Sequence, residues 1–265
     1  MTQLDKSKHT FAICAYKESR YLEECITSLK KQSMKSKIIL ITSTPNRLID
    51  EVAKKYQLHV YVNQNGGIVQ DWNYAYEMAD TDYVTITHQD DVYYSKYTEQ
   101  VITHMEKSSR PIICFTDYFE IRRGKTITRN KLLKIKRIML KPLTVKWMQN
   151  KKIVRRRILA FGCPICCPSV TIAKKNVKKA PFSVGFRSDE DWEAWEKLSK
   201  LKGEFIYIPI PLIGHRIHQE SETTAILKDN ARAQEDLAMF KKFWPEFIAK
   251  WLIKLYSASE DSNDL

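Results

Sequence analysis

The chain has 265 residues, 43% hydrophobic and 28% charged. That composition excludes a disordered, collagen-like or disulfide-scaffold protein and allows one large domain or two small ones. No apolar run reaches the roughly 18 residues of a membrane span, and the stretch from Met1 to Lys6 has no apolar core of a secretory signal, so a cytoplasmic protein is expected. The formal net charge of +13 is local. Twenty of the 44 Lys and Arg lie between Glu120 and Asp189, where there is no acidic residue, so the rest of the chain carries −7. A basic segment over 121–187 marks a surface with an anionic partner: a phosphorylated substrate, anionic lipid headgroups or nucleic acid. A solvated basic insertion is the alternative.

In chain order, Thr10–Cys14 is a short apolar strand. After Ser19, a suitable helix N-cap, Leu22, Cys25, Ile26 and Leu29 recur at helical spacing. Ile38–Thr42 is a second strand, and Leu48, Ile49, Val52, Ala53 and Tyr56 make a second helical face. Leu58–Val62 is a third strand. After Asn65-Gly66-Gly67 comes a helix carrying Ile68, Trp72, Ala75, Tyr76 and Ala79. Tyr83–Thr87 is a fourth strand, running into His88-Gln89-Asp90-Asp91. Apolar strands alternating with amphipathic helices predict an α/β fold with a doubly wound, mostly parallel sheet covered on both faces. Ligands of such sheets bind at the carboxyl ends of the strands, which puts Tyr16, Ser43 and Asp90 on one rim.

Beyond Ile112 the alternation fades. Ile112–Phe115 is expected to be a strand and 120–128 a hairpin about Gly124, while Tyr93–Met105 has the pattern of a helix. Lys125–Arg157 is expected to be helical or loop-like, Asp189–Lys202 helical and Phe205–Ile208 a strand. Asp236–Tyr256 is amphipathic, with Phe240, Phe243, Trp244, Phe247, Trp251 and Leu255 at helical spacing around Pro245. Such a helix with lysines suits a membrane interface, and the basic segment would add attraction to anionic lipid. Packing on its own domain or on a second subunit is the alternative, so a homo-oligomer stays open. Of the six cysteines, Cys14, Cys25 and Cys114 sit in apolar patterns and are expected to be buried. Cys163-Pro164-Ile165-Cys166-Cys167 holds one CxxC with no second ligand pair nearby, which favours a structural loop over a metal or redox site.

Polar clusters fall where strands end: Tyr16-Lys17-Glu18, His88-Gln89-Asp90-Asp91, Asp189-Glu190-Asp191 and Arg216-Ile217-His218. Two adjacent aspartates leaving a buried strand suit a divalent cation, because hard metals take carboxylate oxygens. His218 could add a nitrogen ligand, and Arg216 could neutralise phosphate.

These segments together resemble the GT-A glycosyltransferases, in particular the inverting family-two group. The resemblance rests on Phe11–Glu18 with Tyr21–Leu29, on Gly67 through Asp71-Trp72-Asn73, on Tyr83–Asp91 as a DxD-like signature, on Ser188–Asp191 as the Glu-Asp motif, and on Arg216–Ser221 as the closing Arg-x-His motif. It spans about four-fifths of the chain. It implies a GT-A domain over 1–222, with a donor half to about 118, an acceptor half over 119–222 and a C-terminal helical extension over 223–265. It also implies Asp191 as catalytic base, donor binding by Tyr16, Glu18, Asn73, Asp90 and Arg216, and a Mn²⁺ or Mg²⁺ ion held by Asp90, Asp91 and His218. The partners implied are a nucleotide-diphosphate sugar and a glycan or lipid-linked acceptor, at a cytoplasmic site that extends to the inner membrane face. Three departures stand out. Cys14 and Lys17 replace the usual Pro and Asn, Thr42–Asn46 lacks the aspartate that reads the base in many UDP-sugar enzymes, and His88 stands where the first acid of the signature belongs. UDP is therefore a default.

Two other classes fit less well. A nucleotidyltransferase wants a Gly-rich phosphate loop after the first strand, and none is present. A nucleic-acid-binding module would want aromatics interleaved through the basic segment, so no nucleic acid partner is expected.

Overall fold

The structure, a computed structural model, describes residues 7–218 and 231–260. The first half is built as its pattern predicts: β1 (His9–Cys14), α1 (Leu22–Lys30), β2 (Lys37–Thr42), α2 (Arg47–Tyr56), β3 (His59–Val62), α3 (Ile68–Met78) and β4 (Tyr83–His88). Strands β3, β2, β1 and β4 lie side by side in that order and are parallel. Successive side chains of a strand point to opposite faces, and β1 shows what that does. Phe11 and Ile13 join α1, α2 and α4 (Tyr97–Glu106) in one core. Ala12 joins α3 and α7 (Glu190–Ser199) in the other.

The remaining strands extend the sheet as β8-β6-β9-β5. Strand β8 (Val170–Ala173) runs antiparallel between β4 and β6 (Pro111–Arg122). Strand β9 (Glu204–Ile217) runs parallel to β6, and short β5 (Val92–Tyr93) closes antiparallel on β9. The hairpin about Gly124 is present, with β7 (Lys125–Ile127) paired to β6. The sheet is therefore mixed: β3-β2-β1-β4 and the β6–β9 pair are parallel, and β8 and β5 run antiparallel to their neighbours.

Several local expectations shift. The strand expected to end at Ile208 continues to Ile217, because its register against β6 slips at Thr116–Asp117 and leaves Pro209 and Ile210 unpaired in a bulge. The helix expected from Tyr93 starts at Tyr97, since Val92–Tyr93 is captured by β9. Helix α1 follows Tyr21, and the Ser19 hydroxyl accepts from the Tyr21 N–H without reaching the helix itself. The basic segment forms α5 (Lys131–Leu140) and α6 (Lys152–Leu159), joined by two 3-10 turns.

The C-terminal segment forms two helices, α8 (Ala231–Lys241) and α9 (Glu246–Glu260), parted at Pro245, which cannot supply a helical N–H. Met239, Phe240 and Ala249 are buried in the core beneath α3 and α7, with Phe243, Trp244, Leu252 and Ile253 packed against it. Packing on its own domain thus accounts for much of the aromatic stripe. No helix among the described residues is long and apolar enough to cross a membrane. Arg155 of α6 is buried, and its guanidinium donates to the carbonyls of Ser199, Leu201 and Gly203, closing the turn between α7 and β9.

Candidate active site

The rim at the carboxyl ends of β1, β2 and β4 is stitched together by side chains. Gln89 donates to the Tyr16 carbonyl (2.9 Å) and accepts from the Tyr16 N–H (3.1 Å), so the turn after β4 clips the turn after β1. The Lys17 N–H donates to the Thr44 hydroxyl at 2.6 Å, tying in the turn after β2, and Lys17 takes a φ of +53° there. Such a left-handed non-glycine residue is held by its surroundings and is frequent at functional rims. Tyr16 stands exposed with the Lys17 ammonium 5.0 Å from its ring centroid, and Glu18 is exposed beside it.

Asp90 and Asp91 leave β4 and lead directly into β5. Because β5 pairs with β9, this turn is pressed against His215, Arg216 and His218. Asp91 is fully buried. Its Oδ1 accepts from the Arg216 N–H (2.9 Å) and pairs with His215 Nδ1 (3.0 Å), while its Oδ2 has no hydrogen-bond partner among the described residues. Asp90 Oδ2 lies 2.9 Å from His218 Nε2. The Arg216 guanidinium donates to the Asp90 carbonyl (2.8 Å) and to Glu24 (2.7 Å), and sits 4.3 Å from the Tyr21 ring centroid. Burial opposes ionisation of Asp90, but the His218 hydrogen bond and the charges of the neighbouring histidines outweigh it and hold its carboxyl below the ordinary range. Burial also opposes a charge on His215, yet Asp91 outweighs it and raises that imidazole.

Metal-ligating atoms of His88, Asp90 and Asp91 all lie within 4.8 Å of one another. His88 is stacked on Trp72 (5.3 Å, 11°), its Nε2 is buried with no partner among the described residues, and burial lowers its pKa and keeps the ring neutral. A neutral imidazole and, 3.8 Å from its Nδ1, a buried carboxylate oxygen of Asp91 without a hydrogen bond form, beside Asp90, a donor set that a divalent cation fits. His218, expected as a ligand, is placed as the hydrogen-bond partner of Asp90, and His88 takes the third corner of the cluster. That substitution at the first signature position is the sequence cue to His88.

The second cluster lies at the start of α7. Asp189 and Glu190 are only 5% and 4% exposed, whereas Asp191 keeps accessible surface. Asp191 Oδ1 accepts from the Trp192 N–H (2.6 Å) and its Oδ2 is 3.9 Å from Cys163 Sγ. Burial pushes Asp191 up to about 6. Asp189 is pushed up to about 9 by burial and by the facing carboxylates of Asp236 and Asp191, and burial raises Asp236 as well. From α8, the Glu235 carboxylate accepts from the N–H groups of Arg187, Ser188 and Asp189 and from the Ser188 hydroxyl (2.7 Å). Nothing local in the sequence distinguished Glu235.

The two clusters share surroundings. The Lys136 charge acts on both His215 and Asp191, and buried Cys166 feels both Asp91 and Asp191. Burial pushes the thiols of Cys163, Cys166 and Cys167 well up, which disfavours the thiolate a metal or redox site uses. Asn73 lies on α3 next to Trp72, with its amide donating to the Phe182 carbonyl (2.9 Å). Two residues earlier in the same helix, Asp71 accepts from Ser43 (2.7 Å) and Asn63 (2.8 Å), bridging the ends of β2 and β3 where the expected aspartate is missing. Gln219–Ser221 of the closing motif and the boundary at 222/223 lie outside the described residues.

Comparisons with known proteins agree with this fold. S. aureus TarS (residues 1–349, in complex with UDP-GlcNAc) is similar in structure, with a TM-score of 0.64 at 12% identity over 93% of this chain and 70% of that one. The mannosyltransferase PcManGT of Pyrobaculum calidifontis, in complex with GDP-Man and Mn²⁺, gives a TM-score of 0.64 at 11% identity over 98% of this chain and 76% of that one. At such identities the likeness shows the fold, here GT-A. Among curated proteins none matches this chain by sequence. The family profile described as glycosyl transferase family 2 matches residues 10–179, nearly two thirds of the chain, and the protein is accordingly a glycosyltransferase of that family.

Proposed function

We propose that this enzyme is a metal-dependent inverting transferase that moves a sugar from a nucleotide-diphosphate donor to a hydroxyl of a glycan or lipid-linked acceptor, in the building of a surface polysaccharide or other glycoconjugate on the cytoplasmic side. A UDP-sugar is the default donor, since TarS binds UDP-GlcNAc, although PcManGT binds GDP-Man. The observation that carries this reading is the opposite tuning of two carboxylate clusters near one another: Asp90 is held ionised and Asp191 is raised toward neutrality. Environments that drive like groups apart in pKa assign them different roles.

The donor base would rest at the rim of Tyr16 and Glu18, with Asp71 and Ser43 close to the vacated base-reading position. Asp90 and Asp91, with His88, would hold the cation, and His218 would orient Asp90. When bound, the ion supplies Lewis-acid stabilisation of the charge growing on the leaving diphosphate. Arg216 adds a fixed positive charge at the same place. Asp191 takes the proton of the acceptor hydroxyl as that oxygen bonds to the anomeric carbon, and the carbon–oxygen bond to the diphosphate breaks with its electron pair leaving on the nucleotide. One base and one displacement invert the anomeric centre. Asp191 is the accessible acid of its cluster, and a base with pKa near 6 is ionised at neutral pH yet retains proton affinity.

Thermal stabilisation by UDP, GDP, dTDP, CDP and ADP, each with and without Mn²⁺, tests the donor site. A metal-dependent shift with one diphosphate is expected. No shift with any of them would overturn the reading.

A further inference from the structure

Helices α6 and α9 each hold apolar side chains in solvent. On α6, Ile153 is 72% exposed and exposed Arg157 follows it four residues on, and just past the helix end the Phe161 side chain is also exposed. On α9, Phe247 (74% exposed) and Trp251 (60%) alternate with exposed Lys250 and Lys254 at spacings of three, four and seven, one helical face. The two stripes meet at Trp244. The Arg157 guanidinium lies 5.1 Å from its ring centroid, the Phe161 ring is 5.4 Å away, and the Trp244 indole N–H donates to the Ala160 carbonyl (2.7 Å). The opposite side of α9 is already used, since Ala249, Leu252 and Ile253 pack on the core.

The charge here is mainly positive, although Lys250 shares its charge with the exposed Glu246. Helix α6 lies in the 121–188 segment that lacks any acid, and Glu246 at the start of α9 is covered by Lys250 (2.8 Å) and Lys241 (3.4 Å). Protein–protein interface cores are depleted of lysine, whereas here cations alternate with the apolar groups. A single-stranded nucleic acid would need stacking platforms, and Ile153 offers none. Alternating bulky apolar and cationic groups suit the boundary between lipid headgroups and acyl chains, where the apolar side chains enter and the cations meet phosphates.

We propose that the α6–α9 face docks on an anionic phospholipid bilayer, with Ile153, Phe161, Phe247 and Trp251 entering it and Arg157, Lys250 and Lys254 on the headgroup phosphates. This surface is independent of the donor site and stands or falls without it. The test is co-sedimentation of the full chain with vesicles of phosphatidylcholine alone and of phosphatidylcholine with phosphatidylglycerol, at low and moderate salt. Binding is expected only to the anionic vesicles, weakening as salt rises. Phe247→Ser with Trp251→Ser should lower it by about 10-fold or more with an unchanged melting temperature, because both side chains are exposed. Lys250→Gln with Lys254→Gln reads the charge separately and should weaken binding several-fold. No binding by the wild type, or equal binding by the folded aromatic variant, would overturn the proposal. So would a concentration-dependent dimer in sedimentation equilibrium that the aromatic variant abolishes without vesicle binding by the wild type, since a second copy would then own this face.

Discussion

The turn after β4 and the start of α7 each gather several acids, yet they treat negative charge in opposite ways. Around Asp90 and Asp91 the chain delivers cations and donors: Arg216 by its backbone and side chain, His215 and His218 by their rings. Around Asp189, Asp191 and Asp236 it delivers mostly burial and other carboxylates, with Lys136 and Arg232 as nearby cations. Charge is stabilised in the first region and protons are retained in the second. Equal counts of Asp in two motifs therefore say little about role, and the elements packed against them decide it.

The largest effect expected from breaking this contrast is at Asp191. Asp191→Asn should lower turnover by roughly 10²–10⁴-fold while nucleotide-induced thermal stabilisation is kept. Near-normal turnover would remove it as the base. At the other cluster, Asp90→Ala should abolish the metal-dependent part of that stabilisation, and His218→Ala, which only frees Asp90 to reorient, should weaken metal affinity by about 10–100-fold. Titration calorimetry with Mn²⁺ and a diphosphate separates the two.

Glu235→Ala tests whether α8 positions the base. Losing a charged acceptor for the 187–189 backbone should cost about 1–3 kcal/mol of stability, and loosening Asp191 should cut kcat on the order of 10-fold with donor KM unchanged. A matching loss in KM would point to the donor site instead. Turnover should also follow pH. Asp191 works ionised and is raised to about 6, so the rate should be full above that value and fall as pH drops below about 6. A midpoint near 4 would mean that burial does not raise Asp191.

The smallest effect concerns stability alone. Asp189 is raised to about 9 in the folded chain, so its protonated form favours folding below the unfolded carboxylate pKa, and that advantage is lost as pH rises toward 9. Asp189→Asn keeps a donor for Asp236 without the titration, so its melting temperature should gain on the wild type steadily between about pH 5 and pH 9. A constant difference would count against the buried proton.

The first 90 residues were legible because their strands are continuous apolar runs and their helices keep one apolar face, so periodicity alone separates them. The metal-side residues Asp90, Asp91 and His218 stood out by position in a resembled motif, though the arrangement that makes His88 a corner of the cluster depends on Trp72 stacking from another helix. The rest of the chain was less legible. Strand β8 gains its place by pairing between β4 and β6, β9 continues past Pro209 because a bulge absorbs it, and the capture of Val92–Tyr93 by β9 shortened the expected α4. Glu235 and Arg155 act on backbone atoms more than 40 residues away, which no local pattern encodes.

Those two residues have a joint consequence. Helix α7 carries a partial positive charge at its N-terminus and a partial negative charge at its C-terminus. The Glu235 carboxylate meets the backbone N–H groups at its start, and the Arg155 guanidinium meets the carbonyls at its end. The rod that bears Asp191 is thus suspended between a fixed anion and a fixed cation, each at the pole it favours. A helix anchored at both poles favours a fixed Asp191, so on the proposed role the acceptor is brought to the base, and acceptor choice falls to the surfaces that deliver it.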